Sequence, residues 1–284
     1  MKYKIFQSSP WIDGVERKTF YISTCDKNNF ILKYFIFFFR KYAGKNFNLK
    51  ILGFNKPKIK FEKNIEFISL GKYQKNGAKG WTNYLIKYFS KIKDENIIFG
   101  LDDFLIARPI NFKVLENCFL AVSPEIGRID LQPMQYARKK YLFKFHKKIN
   151  GVNFYELKKY YFWEQTYGIS AAFSIWNRKW FLKYLEKNMS PWEWELKSSK
   201  KVRFDKKKIL CSWDQFAIKK VEMLSDGAWP GFLNTNGLRK ADISSIKKIQ
   251  RKSDRVKKFK AISGIRSGYE ELAGKNWINK IFGK

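Results

Sequence analysis

Apolar and polar positions along this chain change period at regular intervals. Residues 18–24, KTFYIST, are β-branched and aromatic and predict a strand. A polar turn, CDKNN, leads into FILKYFIFFFRKYAG, whose apolar positions recur at helical spacing until Gly44. The theme repeats: strands are predicted at 48–54 (NLKILGF) and 65–71 (IEFISLG), a helix at 81–92 (WTNYLIKYFSKI), and then a short continuous apolar run, ENIIFGLDD, closed by two carboxylates. The run Phe30 to Phe39 contains Lys33 and falls well short of the roughly 20 residues that cross a bilayer. It reads as a buried helix.

Strands that alternate with helical segments imply βαβ units, so the expected fold class is α/β, with an open, mostly parallel central sheet flanked by helices. Ligands of such sheets bind outside the carboxyl ends of the strands. Asp102 and Asp103, following Ile97 to Leu101, are placed at such an end. Farther on, INFKVLENC predicts a helix, FLAVSP a strand and RIDL a further short strand, while the basic QYARKKYLFKFHKKING reads as a loop or amphipathic helix. YGISAAFSIWNRKWFLKYLEKNMSPWEWE predicts a strand, a helix over 177–187, and a turn at Ser190-Pro191 that caps another helix. No internal repeat is visible. Residues 1–238 are expected to form one domain. Residues 239–284, charged and poorer in large apolar side chains, form a basic C-terminal extension.

Composition narrows the picture. Hydrophobic residues at 45% and aromatic residues at 18% supply a packed core and set disorder aside. A net charge of +33 attracts polyanions, and an anionic membrane surface is one such partner, although the lysines are spread along the chain rather than gathered in one block. Cys25, Cys118 and Cys211 are isolated and odd in number, which suits free thiols in a reducing compartment. His146, the only histidine, reads as an exposed loop residue and leaves a zinc site or a His-based triad unsupported. MKYKIFQSSPW has neither the apolar core nor the cleavage site of a signal peptide, so the expected location is cytoplasmic, with peripheral contact at the inner membrane face.

Adjacent carboxylates at a strand end suit a hard divalent cation, Mn²⁺ or Mg²⁺, of the kind that neutralises a diphosphate leaving group. Asp103 is the candidate metal ligand. Asp102 is a candidate for both metal and sugar nucleotide, although Asp at such a place also caps turns. Here the chain resembles glycosyltransferases of the GT-A fold, over residues 18 to 235. The resemblance rests on strand TFYIST with nearby Asp26, strand LKILGF, and IIFGLDDFLI in place of a DxD-type motif, with Leu101 where a first acidic residue is expected. It implies a nucleotide-sugar donor held by Thr24, Asp26 and Asp102, and a glycan or lipid-linked acceptor, as in surface polysaccharide synthesis. The segment with SPWEWE looks like the acceptor side of such transferases. There Glu193 and Glu195 are candidate general bases, Trp192 and Trp194 candidate sugar platforms, and Asp214 a further acceptor contact. Arg108, Arg128 and Lys79 are candidates for contact with the donor's phosphates, since guanidinium groups pair with phosphate oxygens and an ammonium serves as a point charge.

Two other readings remain at this level. A basic nucleic-acid-binding protein would fit a pI near 9.9 with interleaved aromatics, but no helix-turn-helix, zinc-finger or RNP signature is present. A non-catalytic peripheral membrane module would bind vesicles and no nucleotide.

Overall fold

The computed structural model describes residues 18–72, 79–132, 140–158, 168–212, 215–222 and 241–246. The chain divides into two compact units, Met1–Lys220 and Val221–Lys284. In the second, residues 241–246 are helical.

The first unit is built on a nine-stranded sheet. Its strands are β1 (Thr19–Ser23), β2 (Asn48–Gly53), β3 (Ile65–Ser69), β4 (Asn96–Leu101), β6 (Ile126–Asp130), β7 (Phe143–Ile149), β8 (Val152–Leu157), β9 (Ser174–Asn177) and β10 (Lys208–Ser212). A short β5 (Phe104–Ile106) stands apart from it. The order across the sheet is β3-β2-β1-β4-β9-β6-β10-β8-β7. From the pairings, β3, β2, β1, β4, β6, β10 and β7 run one way, and β9 and β8 run against them. The expected α/β class with a mostly parallel sheet is therefore observed, and the carboxyl ends of β1, β2, β4, β6 and β10 share one edge.

Alternation in β1 divides the core between two layers. Phe20 meets Phe39 of α1 (Asn29–Tyr42) and Phe47, which in turn stacks on Phe112 of α3 (Phe112–Ala121). Tyr21 points the other way, onto Phe89 of α2 (Trp81–Phe89). That second layer continues through Phe99, Trp176, Phe181 and Trp194 to α4 (Arg178–Tyr184) and α5 (Pro191–Val202). The apolar run read as a buried helix is α1, with Ile31, Leu32, Phe35, Phe38 and Phe39 all inside.

Gly127 is the extra residue of a bulge, since Lys208 pairs with Ile126 and Ile209 with Arg128. A Cβ at Gly127 would lie 2.5 Å from the buried Trp180 indole. Gly127→Ala is therefore expected to destabilise the domain by about 1–3 kcal/mol through overpacking. A urea midpoint equal to that of the parent would contradict this account.

Three expectations are corrected. FLAVSP is not a strand: Phe119–Ala121 complete α3, because Val114, Leu115, Cys118 and Ala121 carry one buried face to its end. The basic segment before Gly151 is neither loop nor helix over 143–149 but the strand β7, joined to β8 by an Asn150-Gly151 turn with φ of 45° and 87°. Positive φ at both positions is the conformation that an Asn-Gly hairpin turn requires, and the lysines protect the free edge of the sheet. His146, carried by β7, is half-buried rather than exposed, with Nδ1 4.0 Å from a Glu156 carboxylate oxygen. Burial lowers its pKa.

Candidate active site

The carboxyl edge collects most of the buried polar side chains among the described residues: Ser23, Thr24, Asp102, Asp130, Gln132, Ser174 and Ser212. Buried polar groups carry a desolvation cost unless they are bonded, so the bonds here show what the edge holds in place.

On the β1–β4 side, Thr24 N donates to Leu52 O at 2.9 Å and Asp102 N donates to Ser23 O at 3.3 Å, which carries the parallel pairing past the strand ends. The Asp102 carboxylate, 2% exposed, accepts from Thr24 Oγ1 at 2.5 Å and from Asn28 Nδ2 at 3.2 Å. It thereby fastens the loop after β1 to the turn after β4. Ser23 Oγ accepts from Trp81 Nε1 at 2.8 Å, which seats the first residue of α2 on the same edge. Gly53 leaves room for Thr24, whose Cγ2 would lie 2.8 Å from an added Cβ. Asp26 accepts from Asn55 N at 2.9 Å and Asn55 Nδ2 at 2.5 Å, joining the loops after β1 and β2 at the surface. Thr24, Asp26 and Asp102 are thus brought together, with Asp103 half-buried beside them in the turn that opens β5. Arg108 stands beyond the far end of β5 from that turn, and its Nη1 donates to the neighbouring Ala107 O at 2.7 Å. Lys79 is exposed.

Among the described residues no cluster of three or more His, Cys, Asp or Glu could hold a metal ion. A divalent ion at this edge would rely on Asp103, with Asp102 beside it. An all-oxygen pair fits Mg²⁺ or Mn²⁺, which keep waters and substrate phosphates as their remaining ligands. The Asp102 carboxylate is tied to Thr24 and Asn28, which fixes its orientation next to Asp103.

Across the same edge, Asp130 ends β6. Its carboxylate accepts from Arg128 Nη2 at 2.8 Å and Ser174 Oγ at 2.9 Å. Arg128 Nη1 donates to Gly168 O at 2.9 Å, and the guanidinium lies 5.3 Å from the Trp176 ring. Arg128 is fully enclosed by these contacts and is not placed to meet a phosphate. Asp130 is a site residue beyond those expected from sequence, and its signal there is a carboxylate ending a strand, as in LDD.

The two glutamates of α5 have different surroundings. Glu193 closes a capping box: Glu193 N donates to Ser190 Oγ at 3.2 Å, and Glu193 Oε2 accepts from Ser190 N at 3.0 Å. Those bonds, the Ser190 amide first, and Lys197 hold its pKa below the ordinary value. Glu195 is half-buried, and Oε1 accepts from Ala171 N at 2.6 Å. Burial raises its pKa, against the Ala171 and Ser170 bonds and the charges of Lys220 and Arg128. Trp194 is fully buried between Trp81, Trp176 and Phe181, so both faces of its ring belong to the core. Trp192 is half-buried. Asp214 lies outside the described residues.

No family model matches the chain, and no curated protein matches it in sequence. Several solved structures are similar in chain path. They include mannosyltransferase PcManGT from Pyrobaculum calidifontis in complex with GDP-Man and Mn²⁺ (10% identity, TM-score 0.47, 74% of this chain and 58% of that one). S. aureus TarS is another (12%, 0.44, 72% and 60%), as is a UDP-glucose pyrophosphorylase complexed with UDP-glucose (11%, 0.45, 82% and 100%). The chain thus spans less than two thirds of the length of the first two.

Proposed function

We propose that the chain is a hexosyltransferase-like enzyme that moves a sugar from a nucleoside-diphosphate donor to a hydroxyl of a glycan or lipid-linked acceptor, as in surface polysaccharide synthesis. One observation supports this above the others: the carboxyl edge of a mostly parallel sheet carries a bonded Thr24–Asp102 cluster with Asp103 beside it and, across the edge, a half-buried glutamate whose pKa is raised. Thr24 and Asp26 line the donor side, and Asp102 braces the loop that Thr24 belongs to. A divalent ion held by Asp103, with Asp102 beside it, would neutralise the diphosphate as it leaves.

Glu195 is the base. Its ionised carboxylate takes the acceptor O–H proton, the acceptor oxygen bonds to the anomeric carbon, and the carbon–oxygen bond to the diphosphate breaks with its electron pair leaving on the diphosphate. A carboxylate whose pKa is raised is a stronger base than an ordinary glutamate. Glu193, held in its cap at a lowered pKa, is left as a structural residue, and Trp192 is the ring available to line an acceptor.

The test is calorimetric titration with UDP and GDP, each with and without Mn²⁺, followed by an assay for nucleoside diphosphate released from UDP- and GDP-sugars. Saturable binding strengthened by Mn²⁺ is expected. An absence of heat with every nucleoside diphosphate would overturn the reading. Because the base must be ionised, the rate should rise with pH through a midpoint above the ordinary glutamate range, and a midpoint within that range would remove Glu195 from the role.

A further inference from the structure

Far from the carboxyl edge, the turn between α5 and β10 presents Phe204, 81% exposed and the most exposed large hydrophobic residue among those described. Between Lys197 and Lys208 the sequence holds seven basic side chains and a single acidic one, Asp205. The Asp205 carboxylate is fully engaged: it accepts from Lys183 Nζ at 2.6 Å, Tyr184 Oη at 2.7 Å and Lys207 N at 2.7 Å, and its pKa is lowered although burial opposes this. Lys201 pairs with Glu186, and Lys207 donates to Pro124 O. Lys200 and Lys206 are exposed and make no ion pair among the described residues. Asp205 N donates to Val202 O at 3.0 Å and Phe204 N to Lys201 O at 3.3 Å, so the turn is braced from within and the phenyl ring is held outward.

An apolar side chain left in water loses the stabilisation that burial would bring, and a fixed turn cannot fold it away. The positive charge around it repels a basic partner and attracts an anionic one. A single projecting ring suits insertion between lipid headgroups, with lysines at headgroup level. A single-stranded nucleic acid, by contrast, is held in a groove by several rings on which successive bases stack. We infer that the α5–β10 turn, with Phe204 at its tip and Lys200 and Lys206 on its flanks, is a docking site for an anionic membrane surface. Among the described residues no helix is long and apolar enough to cross a membrane, and this contact lies in the plane of the surface. The inference is independent of the transferase reading and is tested without any nucleotide.

The experiment is co-sedimentation of the full chain with vesicles that are purely zwitterionic or contain roughly 30% anionic lipid. Because the whole protein is basic, the comparison is among variants. Phe204→Ala is expected to weaken anionic-vesicle binding about fivefold or more, and Lys200→Glu/Lys206→Glu about 25-fold or more. Lys58→Glu/Lys60→Glu, the same charge change on the exposed loop between β2 and β3, should weaken it far less. Equal losses for the two double variants would show diffuse attraction and overturn the assignment, as would unchanged binding of Phe204→Ala. The proposal also falls if the turn variants weaken binding of a single-stranded oligonucleotide while their vesicle binding matches that of the parent. Circular dichroism of each variant keeps loss of binding separate from loss of fold.

Discussion

Glu195→Gln is expected to lower the transfer rate by about 10²- to 10⁴-fold while leaving donor binding intact. Glutamine keeps an oxygen for the Ala171 amide, so the bond that joins α5 to the segment before β9 survives, and only the capacity to accept a proton is removed. The stability change separates this from a structural defect. The folded-state pKa of Glu195 is raised, so its protonated form favours folding below that pKa, and this contribution is lost as pH rises through the folded value. At neutral pH the neutral glutamine should therefore unfold at the same temperature or a higher one. Glu193→Gln gives a different pattern: glutamine can still close the cap, so only the first-turn charge is lost, costing about 0.3–1 kcal/mol, and the rate stays near that of the parent. If Glu195→Gln keeps the full rate, or if Glu193→Gln loses it, the assignment of the base is wrong.

Asp103→Ala is expected to abolish the Mn²⁺-dependent part of nucleoside diphosphate binding and to reduce transfer by about 10²-fold or more, because the diphosphate loses its counter-charge as it leaves. Asp103 is half-buried and lies in a turn, so the fold should tolerate the change. Asp102→Ala should behave differently. Removing a carboxylate that is 2% exposed leaves Thr24 Oγ1 and Asn28 Nδ2 without their acceptor, so stability and donor binding should fall together. The pair is read by measuring metal-dependent binding and the urea midpoint in both variants. Unchanged Mn²⁺-dependent affinity in Asp103→Ala would take that residue out of the site.

How much of this was legible follows from the range of each interaction. α1, the Asp102-Asp103 strand end and the Ser190-Pro191 start of α5 are local, and the residue pattern revealed them, whereas the closing of that cap by Glu193 was not read from it. The bond from Thr24 to Asp102 joins residues 78 apart, and nothing in either neighbourhood announces it. Glu195 and Glu193 are nearly indistinguishable as a sequence, and what separates them is the segment at 168–172, one residue of which, Ala171, bonds Glu195. Trp194 looked like a sugar platform because exposure cannot be read from an aromatic in a polar run. The tertiary core closes over it. In β7 the charge of the lysines masked an Asn-Gly hairpin signal that was present all along.

Helix α5 leads from the capping box and Glu195 to the Phe204 turn. Its 12 residues give it a length of roughly 18 Å. Glu195 lies seven residues before the end of the helix, so if that turn rests among phospholipid heads, the helix keeps the proposed base within roughly 10 Å of the turn, whatever its tilt. That span is short enough for a sugar carried directly on a lipid headgroup to meet the proposed base, so docking through the turn would let the first sugar on a lipid serve as acceptor as readily as the tip of a longer chain.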